Sequence, residues 1–312
     1  MQKNIVILLS ILFVFSCDSL PDSTGGYNDI TIVSSNEDRE YVEIFISEVF
    51  KDSIYTPLLK SSHNIKYINP NDFIKNKLNK NMIILSLDFP KDSTIDLLSN
   101  KFLEKFDKQL LSLNDLYSKN QVLVFVNAHD IDQLIRQNVI NSKWIKNEIN
   151  QNISKNILYD YNKEDKSEEI NSLVHEMFNI NLNIDDSYKI IKKNSSMIWI
   201  GRGYPYRWIV INKVKKNNIE DFKNLKLLHE SNLTSVIIPG RYRSEEQYNS
   251  NIVLRGIYEH TDSDTGGPFV TYVYEDIYKD FKLYISGFVN NPGKDKILLL
   301  KQLESIFQNI KE

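Results

Sequence analysis

One cysteine in 312 residues excludes an intramolecular disulfide, so stability must come from a packed core whatever compartment the chain meets. The formal net charge of −3 leaves no strong excess of either sign, which argues against a nucleic-acid partner and against general steering toward anionic surfaces. Beyond the first sixteen residues, no apolar run reaches the length needed to cross a bilayer. The sequence has no Gly-x-Ser-x-Gly elbow, Walker loop or cysteine pair, no low-complexity tract and no internal repeat. Arginine is scarce as well, with seven among the 38 basic residues. The remaining hydrophobic fraction of 41% with 11% aromatics is that of a folded globular protein.

The lone cysteine stands in an informative place. Lys3 gives the first few residues a positive charge, Ile5 to Phe15 form a short apolar stretch, and Val14-Phe15-Ser16-Cys17 closes it with a small residue before the thiol. This is the pattern of a bacterial lipoprotein signal, in which residues 1–16 are removed and Cys17 is acylated. Two or three acyl chains anchor stably, since each buried methylene contributes about 0.8 kcal/mol. Residues 17–28, with Pro21, Gly25 and Gly26, are expected to be a flexible tether.

Residues 29–184 predict an α/β domain. Ile30 to Val33 form a short strand; Ser34 and Glu37 have capping-box spacing; Val42, Phe45, Ile46 and Val49 recur at helical intervals. Strands follow at 65–68, 82–87 and 121–126, with helices at 72–78, 94–113 and onward from Ile131. Runs that are apolar throughout argue for strands covered on both faces, in a mostly parallel three-layer arrangement of about four strands.

After residue 184 the rhythm changes, and residues 185–312 predict an α+β domain. Strands at 188–193, 197–202 and 208–213 form a meander, and strands at 252–259, 269–275 and 281–289 follow a helix at 219–229. A closing helix places Leu299, Leu303, Ile306 and Ile310 on one face, giving an antiparallel sheet with helices mainly on one side. Gly266-Gly267-Pro268 predicts a structural turn in which glycine supplies positive φ and Pro268 opens the next strand.

Five of the arginines, Arg202, Arg207, Arg241, Arg243 and Arg255, lie in this second half. A guanidinium pairs carboxylate or phosphate in bidentate fashion, so these are the candidate anion-binding groups. Trp199, Tyr204, Tyr206 and Trp208 surround the first two; most such rings serve packing, and otherwise they suit a partly apolar or sugar-bearing ligand. Other motifs fail on spacing. Asp262-Ser263-Asp264 lacks the further ligands of a calcium loop, His175-Glu176 lacks the second histidine of a zinc helix, and Gly201-Arg202-Gly203 precedes no helix that could hold a pyrophosphate. No catalytic residue, metal site or cofactor is expected.

Leu254-Arg255-Gly256-Ile257, then Gly266-Gly267-Pro268-Phe269-Val270, then Ser286-Gly287-Phe288-Val289-Asn290-Asn291-Pro292 resemble an uncharacterised Bacteroidota lipoprotein family, domain of unknown function 4837. Met197-Ile198-Trp199-Ile200 and Tyr204-Pro205-Tyr206 add to the resemblance, which extends over the mature chain. It implies a lipid-anchored envelope protein and supplies no catalytic residue. The reading that follows is a membrane-attached, non-enzymatic binding module for an anionic envelope component or envelope protein, placed at the outer membrane. An envelope hydrolase with its site in an interdomain cleft is the alternative.

Overall fold

The computed structural model describes residues 19–87, 95, 110–136 and 138–310, so Cys17 and most of the expected 94–113 helix lie outside the described residues. The chain divides into two compact units, one comprising the residues up to Phe45 with Ile65–Asn152, the other Ile46–Asn64 with Ile153–Glu312.

The chain begins with β1 (Asp29–Val33) and α1 (Arg39–Val49). The capping pair falls one residue later than the spacing of Ser34 and Glu37 predicts: the Asp38 N–H donates to Ser35 Oγ at 3.1 Å, and that hydroxyl donates to Asp38 Oδ2. The hairpin of β2 (Ser53–Tyr55) and β3 (Leu59–Ser61) belongs to the second unit. Then come β4 (Asn64–Ile68), the short α2 (Phe73–Asn76), β5 (Asn81–Leu87), β6 (Leu110–Asn114) and β7 (Val122–Ala128). These form a five-stranded sheet in the order β4-β1-β5-β7-β6.

β1, β5 and β7 run parallel, as the apolar runs predict, and β5 is buried along its whole length. β6 corrects the expected helix: Leu110–Asn114 pairs antiparallel with β7, making the sheet mixed and five-stranded. Leucines at 110, 111 and 113 satisfy either period, and pairing to β7 decides between them. Val33, Met82, Ile84, Leu123 and Phe125 pack with Phe73 and Ile95 in its core. The helices α3 (Ile131–Arg136) and α4 (Asn138–Tyr161) follow.

In the second unit, α5 (Glu168–Phe178) starts where Ser167 Oγ accepts the Ile170 N–H and ends at Asn179, whose φ of 48° is left-handed. The strands are β8 (Lys189–Lys193), β9 (Met197–Arg202) and β10 (Tyr206–Lys215), then α6 (Asp221–Asn232). Next are β11 (Val236–Ile237), β12 (Ser244–Tyr248), β13 (Asn251–His260), β14 (Gly266–Tyr274) and β15 (Phe281–Asn290), and finally α7 (Ile297–Gln308). They build an antiparallel sheet in the order β11-β13-β14-β15-β10-β9-β8, with β12 also on β13. Alternation along each strand divides the side chains between two cores. Ile198, Ile200, Ile209, Ile285 and Val289 face α5 and α7, whereas Val210, Leu254, Phe269, Tyr284 and Phe288 face α6.

The glycine turn is a second correction. Gly266 and Gly267 lie within β14, paired to Glu259 and Tyr258, and neither has positive φ. Their function is close approach: a Cβ on Gly267 would stand 2.0 Å from the Val289 carbonyl oxygen, and one on Gly266 2.4 Å from that of Tyr258. Pro268 pairs with Ile257, and the ladder to β15 starts only at Phe269, so the missing N–H falls at the end of that ladder.

Candidate functional site

The second unit carries an open pocket of about 520 Å³ at the end of the β9–β10 hairpin. In the register, Trp208 faces Gly201 and Val210 faces Trp199, so the two indoles sit diagonally on one side of the sheet. They lie at the margin of the core under α6, with His260 and Asn290 completing that side of the pocket. Trp208 is fixed by its neighbours. It stacks on Phe288 at 5.8 Å and meets the edge of Tyr258 at 5.2 Å. Gly201 leaves room beside it: a Cβ there would be 2.6 Å from Ile191 Cδ1. Tyr206, half exposed, forms the outer wall and meets Tyr204 edge-on at 5.9 Å.

Trp199 Nε1, Trp208 Nε1 and Asn290 Oδ1 are buried without a hydrogen-bond partner. Buried polar groups are normally satisfied, so three such atoms around one pocket ask for an explanation.

Arg202 and Arg207 also line this pocket, and they face each other across β9 and β10 on the opposite side from the indoles. Arg202 stacks over Tyr188 and pairs with Asp185 at 3.4 Å and Glu164 at 3.9 Å. Arg207 differs. It is only 5% exposed, has no carboxylate within ion-pair distance among the described residues, and its Nε has no partner. Burial presses its pKa below the ordinary arginine value, and the hydroxyl of Tyr188, buried and also unpartnered, is the first of the neighbouring groups acting on its charge.

The other three predicted arginines are engaged elsewhere. Arg241 pairs with Glu259 at 3.2 Å, and Arg243 pairs with Glu220 at 3.4 Å while lying over Phe222. Arg255 bridges Glu246 and Glu304, the latter at 2.8 Å. Burial alone would lower the Arg255 pKa, but these two carboxylates raise it. The five arginines therefore form one adjacent pair and three separate ion pairs.

A histidine and a hydroxyl do meet in this unit. His229 Nε2 lies 2.9 Å from Ser286 Oγ, which lies 2.8 Å from Thr271 Oγ1. All three residues are fully buried, no carboxylate among the described residues orients His229 Nδ1, and burial lowers the histidine pKa to about 3. Such a pair has neither substrate access nor an orienting acid, and it serves the core. Among the described residues no cluster of three or more His, Cys, Asp or Glu could hold a metal ion. No described helix is long and apolar enough to cross a membrane.

Sequence reasoning singled out the aromatic cluster and the arginines but missed His260, Asn290 and Tyr188 as neighbours. His260 and Asn290 come from strands that follow β10 by some fifty and eighty residues, so no local spacing announces them.

Solved structures that match part of the chain include the following three. One is a crystal structure from Bacteroides thetaiotaomicron VPI-5482, with 10% identity and a TM-score of 0.28, covering 42% of this chain and 44% of that one. This chain thus spans less than half of that relative. A mutant of the protein Mog1 has 9% identity and a TM-score of 0.30, covering 42% and 89%. LpqN of Mycobacterium tuberculosis, involved in cell envelope biogenesis, has 15% identity and a TM-score of 0.27, covering 42% and 82%. No curated protein matches the chain. Residues 23–159 match one domain of unknown function, DUF8532. Residues 167–309, which hold the pocket, all five arginines and Gly266-Gly267-Pro268, match another, so the second half of this chain is a domain of the DUF4837 family.

Proposed function

We propose that the protein is a lipid-anchored, non-enzymatic binding module of the cell envelope, attached through Cys17 and holding an anionic envelope component at the Arg202–Arg207 end of the pocket. The observation that carries this reading is Arg207, a buried guanidinium with no carboxylate within ion-pair distance among the described residues, Asp185 and Glu164 acting on it from farther off. A buried charge without a direct counter-ion is costly, and a bound anion would give Arg207 the close partner that Asp185 and Glu164 give Arg202. Arg241, Arg243 and Arg255 already have carboxylate partners, and Arg202 is largely neutralised by Asp185 and Glu164. Arg207 is thus the recognition group and Arg202 its neighbour at the rim. The anchor rests on the Val14-Phe15-Ser16-Cys17 signal pattern.

The test uses full-length protein in detergent micelles, melted with citrate or with sodium chloride of the same ionic strength. Citrate at ten times its dissociation constant should raise the melting temperature by about 3 °C, and Arg207→Gln should erase that rise. Equal curves in citrate and chloride would remove the anion site. Cys17→Ser should shift the protein from the membrane to the soluble fraction; wild type that takes up no labelled fatty acid would remove the anchor.

A further inference from the structure

We infer that the second unit rests on an anionic bilayer through the tip of the β2–β3 hairpin, with Leu58 and Leu59 inserted among the lipid headgroups and Lys60, Lys294 and Lys296 beside their phosphates. This contact uses none of the arginines. It takes from the reading above only the anchor that would bring a bilayer near.

The hairpin sends its apolar side chains in two directions. Ile54 packs on the core shared with α5 and α7, whereas Leu58, at 74%, is the most exposed large apolar side chain among the described residues, and Leu59 beside it is exposed as well. The turn that presents them is closed. The Thr56 N–H donates to the Leu58 carbonyl at 2.8 Å, Thr56 Oγ1 donates to the same oxygen at 3.2 Å, and the Ser62 N–H donates to the Asp52 carbonyl at the base. Tyr55, opposite Leu59 in the register, meets the ring of Tyr242 at 4.5 Å. Two leucines held in water by a fixed turn give the fold nothing, and exposed apolar groups of this kind mark a contact surface.

The charges beside the tip say what the contact is. Lys60 lies 4.0 Å from Asp295, Lys296 Nζ reaches the Lys294 carbonyl at 3.4 Å, and Lys294 lies over the ring of Tyr204, which meets Tyr206 edge-on. Among the described residues Asp295 is the one carboxylate within ion-pair distance of any of these lysines, and its Oδ1 is already accepting the Lys296 and Ile297 N–H groups at the start of α7. Lys296 is buried, and burial together with the charge of Lys60 lowers its pKa; phosphates beside the cluster would relieve both lysines. A net charge of −3 gives no general attraction to anionic surfaces, so the attraction is local to this cluster. A tip of two leucines is too narrow for the core of a stable protein interface, whereas leucines leading, with lysines and half-exposed tyrosines behind them, is the order of side chains at a membrane surface.

The test reconstitutes the full-length protein into phosphatidylcholine vesicles, with or without phosphatidylglycerol, carrying an environment-sensitive fluorophore on Leu58→Cys. Leu59→Cys is a second probe position, and Leu227→Cys, equally apolar and exposed on α6, is the control. A lipid with a doxyl spin label near its headgroup should quench the probe at residue 58 about twofold in the anionic vesicles and leave that at residue 227 unchanged. A lysine at an anionic surface contributes about fivefold to binding, so Lys60→Glu with Lys294→Glu should abolish the quenching, as should about 1 M sodium chloride. Equal quenching at residues 58 and 227, or at neither, would overturn the docking. A blue-shifted probe at residue 58 that the doxyl lipid does not quench would assign the tip to a protein surface, such as a second copy of this chain, and overturn the bilayer. Quenching that ignores the lysine variants and salt would overturn the part given to the phosphates. Wild type should take up no fluorophore, because acylated Cys17 has no free thiol. If it is labelled, the anchor falls and the docking is read in a Cys17→Ser background, where the apolar stretch from Ile5 to Phe15 keeps the full-length chain on the vesicle.

Discussion

The start of the central strands in the five-stranded sheet and the β9–β10 end of the eight-stranded sheet treat polar side chains differently. At the start of the central strands of the five-stranded sheet, Asn81 Nδ2 donates to the Tyr27 and Asp29 carbonyls while its Oδ1 accepts from Asn152 Nδ2. Beside it, Gln121 Nε2 donates to the Lys77 and Asn79 carbonyls, and its Oε1 accepts the Tyr117 N–H. At the β9–β10 end of the eight-stranded sheet, by contrast, Trp199, Trp208, Asn290 and Arg207 all keep polar atoms without partners. A completed network fixes register, whereas an incomplete one leaves buried polar atoms whose desolvation nothing in the fold repays.

The largest effect should come from the scaffold behind the incomplete site. Gly267→Ala would push a methyl group against the Val289 main chain, which cannot yield as a side chain can. A loss of about 3 kcal/mol is expected from urea unfolding, at the upper end for overpacking. A loss below about 1 kcal/mol would mean that β14 and β15 adjust freely, and the pocket they help to frame would then be no rigid platform.

Next in size is a paired substitution that compares the two sheets directly. Asn81→Ala removes a side chain whose donors and acceptor are all engaged and leaves buried carbonyls behind, which should cost about 2 kcal/mol. Asn290→Ala removes an amide oxygen that has no partner and should cost less than about 0.5 kcal/mol. Equal losses would erase the distinction between a complete and an incomplete network.

The core under α6 offers a pH-dependent version of the same question. His229 is neutral when folded, with its pKa lowered to about 3 by burial, while the unfolded chain takes up a proton near pH 6.5. Stability from this group is therefore present above pH 6.5 and falls as the pH drops toward 3, by about 1.4 kcal/mol per pH unit. Urea unfolding of wild type and His229→Gln between pH 7 and pH 4.5 should show that one-proton slope in wild type alone. An identical slope in both would mean that His229 is protonated in the native core.

What the sequence disclosed follows the range of the forces involved. β5 and β7 are legible because both faces are buried and the apolar run is continuous. The fully exposed β12, Ser-Glu-Glu-Gln-Tyr, has no apolar period and is a strand only because β13 offers an edge. The same limit hid the purpose of Gly267, since the carbonyl it accommodates belongs to Val289. Five arginines close in sequence look alike until the structure shows Glu304, 49 residues from Arg255, engaging one of them, while among the described residues no carboxylate stands within ion-pair distance of Arg207. Partner identity is a three-dimensional property, and residue type alone could nominate the group but not choose its member.

The smallest effects are expected at the arginines themselves, and their signs matter more than their sizes. Arg207→Met replaces a buried cation that has no direct ion pair among the described residues by an apolar chain of similar length, so it should stabilise the apo protein by about 1 kcal/mol while removing the anion response. Arg241→Ala breaks an ion pair of exposed partners and should change stability by less than about 0.5 kcal/mol in either direction, with the anion response intact. Unfolding curves for the two variants, each with and without citrate, separate the cases. A destabilised Arg207→Met would show that the folded protein already satisfies this guanidinium through its own groups, and the reason for placing a ligand there would be gone. Stabilisation together with loss of binding is the pattern of a residue kept for recognition at some expense to the fold.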